Sequence, residues 1–418
     1  MITTSAPADW EIRTLGQLGR VVRGGSPRPA GDPRYFNGAF IPWLTVAALT
    51  TIPESQMRVV RTATNLTEEG AKRSRTLQPE TLIIANSGAT LGVAKILGIA
   101  SCANDGIAAV VDQHSGRKEF LCYYLNTQTT HLREVVASGN GQPNLNTSLI
   151  REIKVPFPSD PEQRAIVDVL AEVDSLIESL RALVTKKRAV KQGMMQELLT
   201  GRTRLGGIAS SWTTLRVAAA SHVKARIGWQ GLTTAEYRKS GEYRLVGGSD
   251  FLDGRVNWDT TPYVDKARFD QDPNIQLQVG DVLITKDGTI GKVALVDALP
   301  GPTTLNSGVF VVRPKRDAYD SRFLYCILRS RAFEEFVGGL SAGSTINHLY
   351  QKDLVRLTFN VPSDLAEQRT IAAVLLDADA EIEMLERRLK ATRAIKQGVM
   401  QELLTGRTRL PSDRKVAV

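Results

Sequence analysis

Apolar residues at Ile166, Val169, Leu170, Val173, Leu176, Ile177, Leu180, Leu183 and Val184 recur at steps of three and four. That spacing sets them on one stripe of a helix, close to a coiled-coil seam. The pattern returns at Ile371, Val374, Leu375, Ala378, Ile382, Leu385, Leu389 and Ile395. Ser159, Asp160 and Pro161 suit a helix start, as do Ser363 and Asp364, while Gly201 and Gly406 suit helix stops. A helix of about 39 residues would be roughly 58 Å long. The two larger stretches between these helices have another texture. Short β-rich runs alternate with Gly- and Pro-rich turns such as Arg23–Pro29 (RGGSPRP) and Gly247–Gly254 (GGSDFLDG).

The two helical stretches are copies. KQGMMQELLTGRTRL at Lys191–Leu205 and KQGVMQELLTGRTRL at Lys396–Leu410 agree at 14 of 15 positions, 205 residues apart. A weaker match, Phe157–Leu170 with Val361–Leu375, extends the repeat upstream. The large stretches keep only a skeleton of it. LIIANSGATLGVAKIL (Leu82–Leu97) parallels LITKDGTIGKVALV (Leu283–Val296), and ANDGIAAVV (Ala103–Val111) parallels LNSGVFVV (Leu305–Val312). The chain therefore divides into 1–158, helical 159–205, 206–360, helical 361–410 and a tail, 411–418, that reads as disordered. Near-identical ends with diverged middles suggest one task done twice and two related tasks done differently. A recent duplication without functional meaning is the alternative.

Charge sharpens the helix reading. Ser159–Leu180 holds six acids and one base, and Arg181–Leu205 holds seven bases and one acid. The second helix repeats the polarity, with seven acids and one base up to Glu386, then seven bases and one acid. Antiparallel pairing sets acidic halves against basic halves, so an antiparallel spacer pair is expected. Two helices packed separately on their own domains is the other arrangement. The expected fold is α+β, with two pseudo-symmetric mixed α/β domains and a coiled-coil spacer. Two copies of one partner gripping the repeated ends would use Gln192, Met195, Leu198 and Leu199, then Gln397, Met400, Leu403 and Leu404.

Composition excludes more than it assigns. The 418 residues carry a net charge of +9, with the surplus in the two large stretches (+4 and +3, against +1 in 159–205 and +1 in 361–418). An anionic partner is plausible on that ground. Cys102, Cys122 and Cys326 form no CxxC pair, which argues against a zinc site or disulfide framework and suits a reducing cytoplasm. No apolar run reaches membrane-spanning length, and no secretory signal is visible at the start. Gly288–Lys292 (GTIGK) is not a phosphate loop, because Val293 stands where the hydroxyl is needed. Gly139-Asn-Gly141 is a lone GxG. No Asn/Asp-Pro-Pro-aromatic segment occurs, and His114, His131, His222 and His348 lack ligand spacing. Glu152-Ile-Lys154 reads as the edge of a strand rather than half of a nuclease motif.

Loops that mix Arg or Lys with small polar residues suit contact with phosphates and base edges. The candidates are Arg23, Ser26, Arg28, Asn86, Gln142 and Asn144 in the first large stretch. In the second they are Lys224, Arg226, Gln230, Lys286, Thr289, Lys292, Thr345 and Asn347.

The paired QELLTGRTRL ends, Gly24–Leu44 (GGSPRP…IPWL), Ile227–Tyr237 (IGWQGL…EY) and Gly280–Val296 followed by LNSGVFVVRP carry a family resemblance. Over residues 1–410 the sequence resembles the specificity subunit of type I restriction–modification systems. That resemblance implies a bipartite double-stranded DNA target with one domain per half-site and two docked modification subunits. It implies S-adenosylmethionine-dependent adenine methylation by those partners, and ATP- and Mg-dependent translocation and cleavage by restriction subunits. The chain itself is then expected to bind no cofactor and to carry no catalytic residue. A stand-alone DNA-reading enzyme and a protein-binding scaffold are the competing readings.

Overall fold

A computed structural model describes residues 7–137, 144–205, 210–227, 232–341 and 348–410. The tail 411–418 and the candidates Gln142, Gln230, Thr345 and Asn347 lie outside the described residues. The chain forms two compact units, residues 1–183 with 385–418, and residues 184–384. Each unit holds one mixed α/β body and one half of each long helix.

The first body is built on a five-stranded sheet. Its order is Arg20–Arg23, Ile107–Val111, Leu82–Ala85, Ala94–Leu97 and Arg58–Val59, antiparallel except for the last pair. The run Leu82–Ala85 is apolar throughout because both faces of its sheet are covered. Leu82 and Ile84 enter the core shared with the helix Lys118–Thr127. Ile83 and Ala85 point into a second core with Leu44 and Leu49. A four-stranded sheet ordered Thr64–Leu66, Phe36–Leu44, Ser101–Ala103 and Arg75–Leu77 lies in the same unit. Glu152 and Lys154 bound the strand Lys154–Phe157, which pairs antiparallel with Glu11–Thr14.

The second body repeats the scheme. Ser221–Lys224, Val309–Pro314, Val282–Thr285 and Val293–Leu295 stand in the same relative order, extended by Arg255–Val256 and Phe251–Leu252. Val282 and Ile284 face one core and Leu283 the other. Gly288–Lys292 lies in the turn joining two antiparallel strands, so no helix N-terminus follows it as a phosphate loop requires.

The long helices are Asp160–Leu198 and Leu365–Leu403, 39 residues each. Asp364 starts the second by accepting a bond from the Ala366 amide at 2.8 Å. Gly201 and Gly406 end the two helical segments with φ of 73° and 72°, a conformation that suits glycine. A Cβ at Gly201 would sit 2.9 Å from the Trp212 ring. Within each unit the halves pack antiparallel. Ile166 and Leu170 share a core with Leu403 and Leu404, while Ile371 and Leu375 share one with Leu198 and Leu199. Lys187 meets Glu381 at 2.7 Å and Lys191 meets Asp379, the acid-against-base pairing expected from the charge pattern.

Candidate nucleic-acid interface

One backbone frame occurs in both bodies, at the loop ends of the central strands. In the first, the Asn86 amide donates to the Gly106 carbonyl at 2.9 Å, and the Leu145 amide donates to the Asn86 carbonyl at 2.8 Å. Ser87 bridges Asn144. In the second, the Lys286 amide donates to the Gly308 carbonyl at 2.9 Å, and the Leu349 amide donates to the Lys286 carbonyl at 2.9 Å. Asp287 bridges His348. The two frames are held by equivalent bonds and differ in the side chains they carry.

On the first frame, four of the six candidates converge on Asp105. Ser26 Oγ donates to Asp105 Oδ1 at 2.7 Å, and Arg23 Nε donates to the Asp105 carbonyl at 2.6 Å. Asn86 Nδ2 donates to the same carbonyl at 3.1 Å, while its buried Oδ1 has no partner among the described residues. Arg28 Nη2 lies 3.8 Å from the Asp105 carboxylate and Arg23 Nη2 lies 4.0 Å from it. The Ser26 hydrogen bond, against partial desolvation, holds the Asp105 carboxyl below its usual range, and the Asp105 amide and both arginines add to this. Asn144 is exposed beside this group.

The second frame carries another set. Asp287 Oδ1 lies 2.7 Å from His348 Nδ1, and the Asp287 carboxylate faces Lys286 Nζ at 3.6 Å. Lys286 also lies over the Phe310 ring at 5.8 Å. Thr285 Oγ1 donates to the Thr289 carbonyl and accepts from the Lys292 amide, fixing a turn that leaves Thr289 and Lys292 exposed. Lys224 is exposed at the end of the edge strand Ser221–Lys224.

Arg226 does not belong to this surface. It is 1% exposed. Its guanidinium donates to the carbonyls of Leu305 and Arg268, to Thr304 Oγ1 and to Gln271 Oε1. Desolvation lowers its pKa, and the four acceptors replace the water it has lost. It braces the second body from inside.

The repeated helix ends need a parallel correction. Leu198, Leu199, Leu403 and Leu404 are at most 8% exposed and fill their own units' cores, so they are not free to meet a partner. Met195 and Met400 are half-buried against the same cores. Gln192 and Gln397 are exposed, next to the exposed apolar Val190 and Ile395. The shared motif instead builds an internal clamp in each unit. Arg409 grips Glu162 and Asp9 and stands over the Trp10 ring, whose Nε1 donates to Glu162 at 3.1 Å. Arg204 grips Glu367 at 2.6 Å and stands over Trp212.

Asp105 and Asp287 escaped the reading of the sequence, and His348 entered it only as a histidine without ligand spacing. Asp105 sits where ANDG and LNSG diverge inside an otherwise parallel skeleton, and that divergence was its one available signal. Among the described residues no cluster of His, Cys, Asp and Glu could hold a metal ion, and none of the helices is long and apolar enough to cross a membrane. All three cysteines are buried, and burial pushes the Cys122 thiol up to about 12.

Residues 7–186 and 231–392 match the model of the type I restriction modification DNA specificity domain. The chain is 22% identical to the MjaX specificity subunit of a type I restriction enzyme from Methanocaldococcus jannaschii, over 97% of this chain and 95% of that one. It is 23% identical to the MjaVIII specificity subunit of the same organism, over 70% of each. Its fold matches the crystal structure of a type I restriction–modification S subunit from M. genitalium, with a TM-score of 0.61 and 15% identity. That match covers 96% of this chain and 97% of the other.

Proposed function

The chain belongs to the type I restriction–modification DNA specificity family, and on that premise we propose that it reads a bipartite DNA target, one half-site per body. The observation that carries this reading is the twinned backbone frame. Equivalent bonds hold Asn86 and Asp105 with two arginines in one body, and Lys286 with the Asp287–His348 pair in the other. One frame with two side-chain sets suits two different base sequences of one chemical class.

Recognition is then this chain's contribution. S-adenosylmethionine, ATP and Mg act on the modification and restriction subunits that it assembles. Two modification subunits dock on the twinned exposed positions Val190 with Gln192 and Ile395 with Gln397, which present the same side-chain types twice. The two helices of 39 residues set the gap between half-sites. Reconstitution with the modification subunit, followed by sequencing of methylated DNA, tests the reading. A two-part motif with a fixed gap supports it, and methylation without a motif rejects it.

A further inference from the structure

We propose that Asp105 is a positioning residue of the first body's base reader, aiming Arg28 at a guanine with Arg23 anchored beside it. This rests on the reading of the chain as a DNA specificity subunit and names the chemistry of one half-site. Asp105 is tied on both sides. Its carboxylate takes the Ser26 hydroxyl, and its carbonyl takes Arg23 Nε and Asn86 Nδ2. The segment that carries the arginines is pinned to the same turn, because the Gly24 amide donates to the Ile107 carbonyl and the Gly25 amide to the Ala103 carbonyl.

The distances decide what the arginines are free to do. A closed guanidinium–carboxylate pair has N···O separations of about 2.7–2.9 Å. Here they are 3.8 and 4.0 Å, so the carboxylate orients both cations without closing an ion pair; Arg23 is anchored through Nε to the Asp105 carbonyl, and the Arg28 fork is the one left for a base. Arg28 keeps 73% of its side chain exposed. Two arginines around one carboxylate leave a surplus positive charge, and an arginine fork matches the O6 and N7 acceptors of guanine in the major groove. In the second body Ser307 occupies the equivalent place after Asn306, and the nearby Asp287 is engaged by His348. The device is particular to the first body.

The test uses the full chain assembled with its modification subunits and a pool of duplexes of randomised sequence. Asp105→Asn and Arg28→Ala are compared with wild type, and His348→Ala reports on the other half-site. We expect Asp105→Asn to keep assembly and melting temperature. It should lower the preference for guanine at one base pair of the Arg28-dependent half-site by about tenfold or more, with the other half-site unchanged. Replacing that guanine by 7-deazaguanine should weaken the wild type by a similar factor and have little further effect on Asp105→Asn. An unchanged preference profile, a uniform loss of affinity with every preference intact, or indifference to 7-deazaguanine would each overturn the proposal. If the wild type selects a two-part motif and Asp105→Asn leaves it unaltered, only this inference fails. If the wild type selects no sequence, the specificity-subunit reading fails with it.

Discussion

Lys396 Nζ lies 2.6 Å from Asp174 Oδ1, with 13% and 10% of the two side chains exposed. Asp174 Oδ2 accepts the Tyr123 hydroxyl at 2.8 Å, and the ammonium stands 5.5 Å from the Tyr123 ring centroid. The second unit repeats the ion pair as Lys191 with Asp379, 205 residues away on both partners. Asp379 there also takes Arg329 at 3.0 Å. The same ion pair therefore ties the antiparallel helix halves in each unit.

Removing one partner strands the other in a dry site. Lys396→Ala is expected to cost about 3–5 kcal/mol, because the Asp174 charge loses its counter-ion. A double replacement, Lys396→Met with Asp174→Leu, should recover most of that. Denaturant unfolding of the assembled chain checks both, and a single variant as stable as wild type would contradict the assignment.

Arg226 and Arg28 should separate stability from binding. Arg226→Ala takes the donor from the buried Leu305 carbonyl and Thr304 hydroxyl and leaves a cavity, and is expected to destabilise the second body by about 2–4 kcal/mol. Arg28→Ala is expected to change stability by less than about 0.5 kcal/mol while weakening DNA binding. Thermal melts beside salt-controlled binding titrations read the two effects, and equal behaviour of the variants would count against the division.

The Arg204–Glu367 clamp gives a pH dependence with a definite sign. Desolvation raises the Glu367 carboxyl, but the bonds from Arg204 and Ser210 outweigh it and hold the carboxyl below its ordinary value of 4.5. A depressed carboxyl contributes fully above that ordinary value and loses its contribution as pH falls through the lowered one. Glu367→Gln should therefore remove part of the acid-side loss of stability of the second body. Unfolding midpoints between about pH 5 and pH 3 check this, and an acid limb unchanged by the substitution would contradict it.

Partner docking and core packing should also come apart. Leu404→Ala is expected to cost about 2–5 kcal/mol of stability. Val190→Asp and Ile395→Asp should leave melting unchanged, and each should remove one modification subunit from the assembly. Mass measurement of the complexes distinguishes these, and retention of both partners by each variant would move the docking site elsewhere.

Much of this architecture was legible because it is written twice. Periods of three and four marked both helices, Gly201 and Gly406 marked their ends, and opposed charge halves implied antiparallel pairing. What covers a buried stripe was not legible. The repeat marked Leu403 and Leu404 as apolar positions covered by a partner, but did not show that their own body receives them. Arg226 read as a loop cation because its acceptors are 42 to 79 residues away. The candidates Arg23, Ser26, Arg28 and Asn86 were found by residue type alone. Their common centre, Asp105, is set by strand pairing between residues 20–23 and 107–111.

The most direct test of a two-part reader with a helical spacer is to lengthen both long helices by four residues and map methylation by the reconstituted complex. Four residues add about 6 Å of helix, against roughly 3.4 Å per base pair. The expected result is the same two half-sites with a gap about two base pairs longer. The same half-sites at the original gap would contradict the spacer role, and loss of the two-part motif by a complex that still assembles would contradict the bipartite reading.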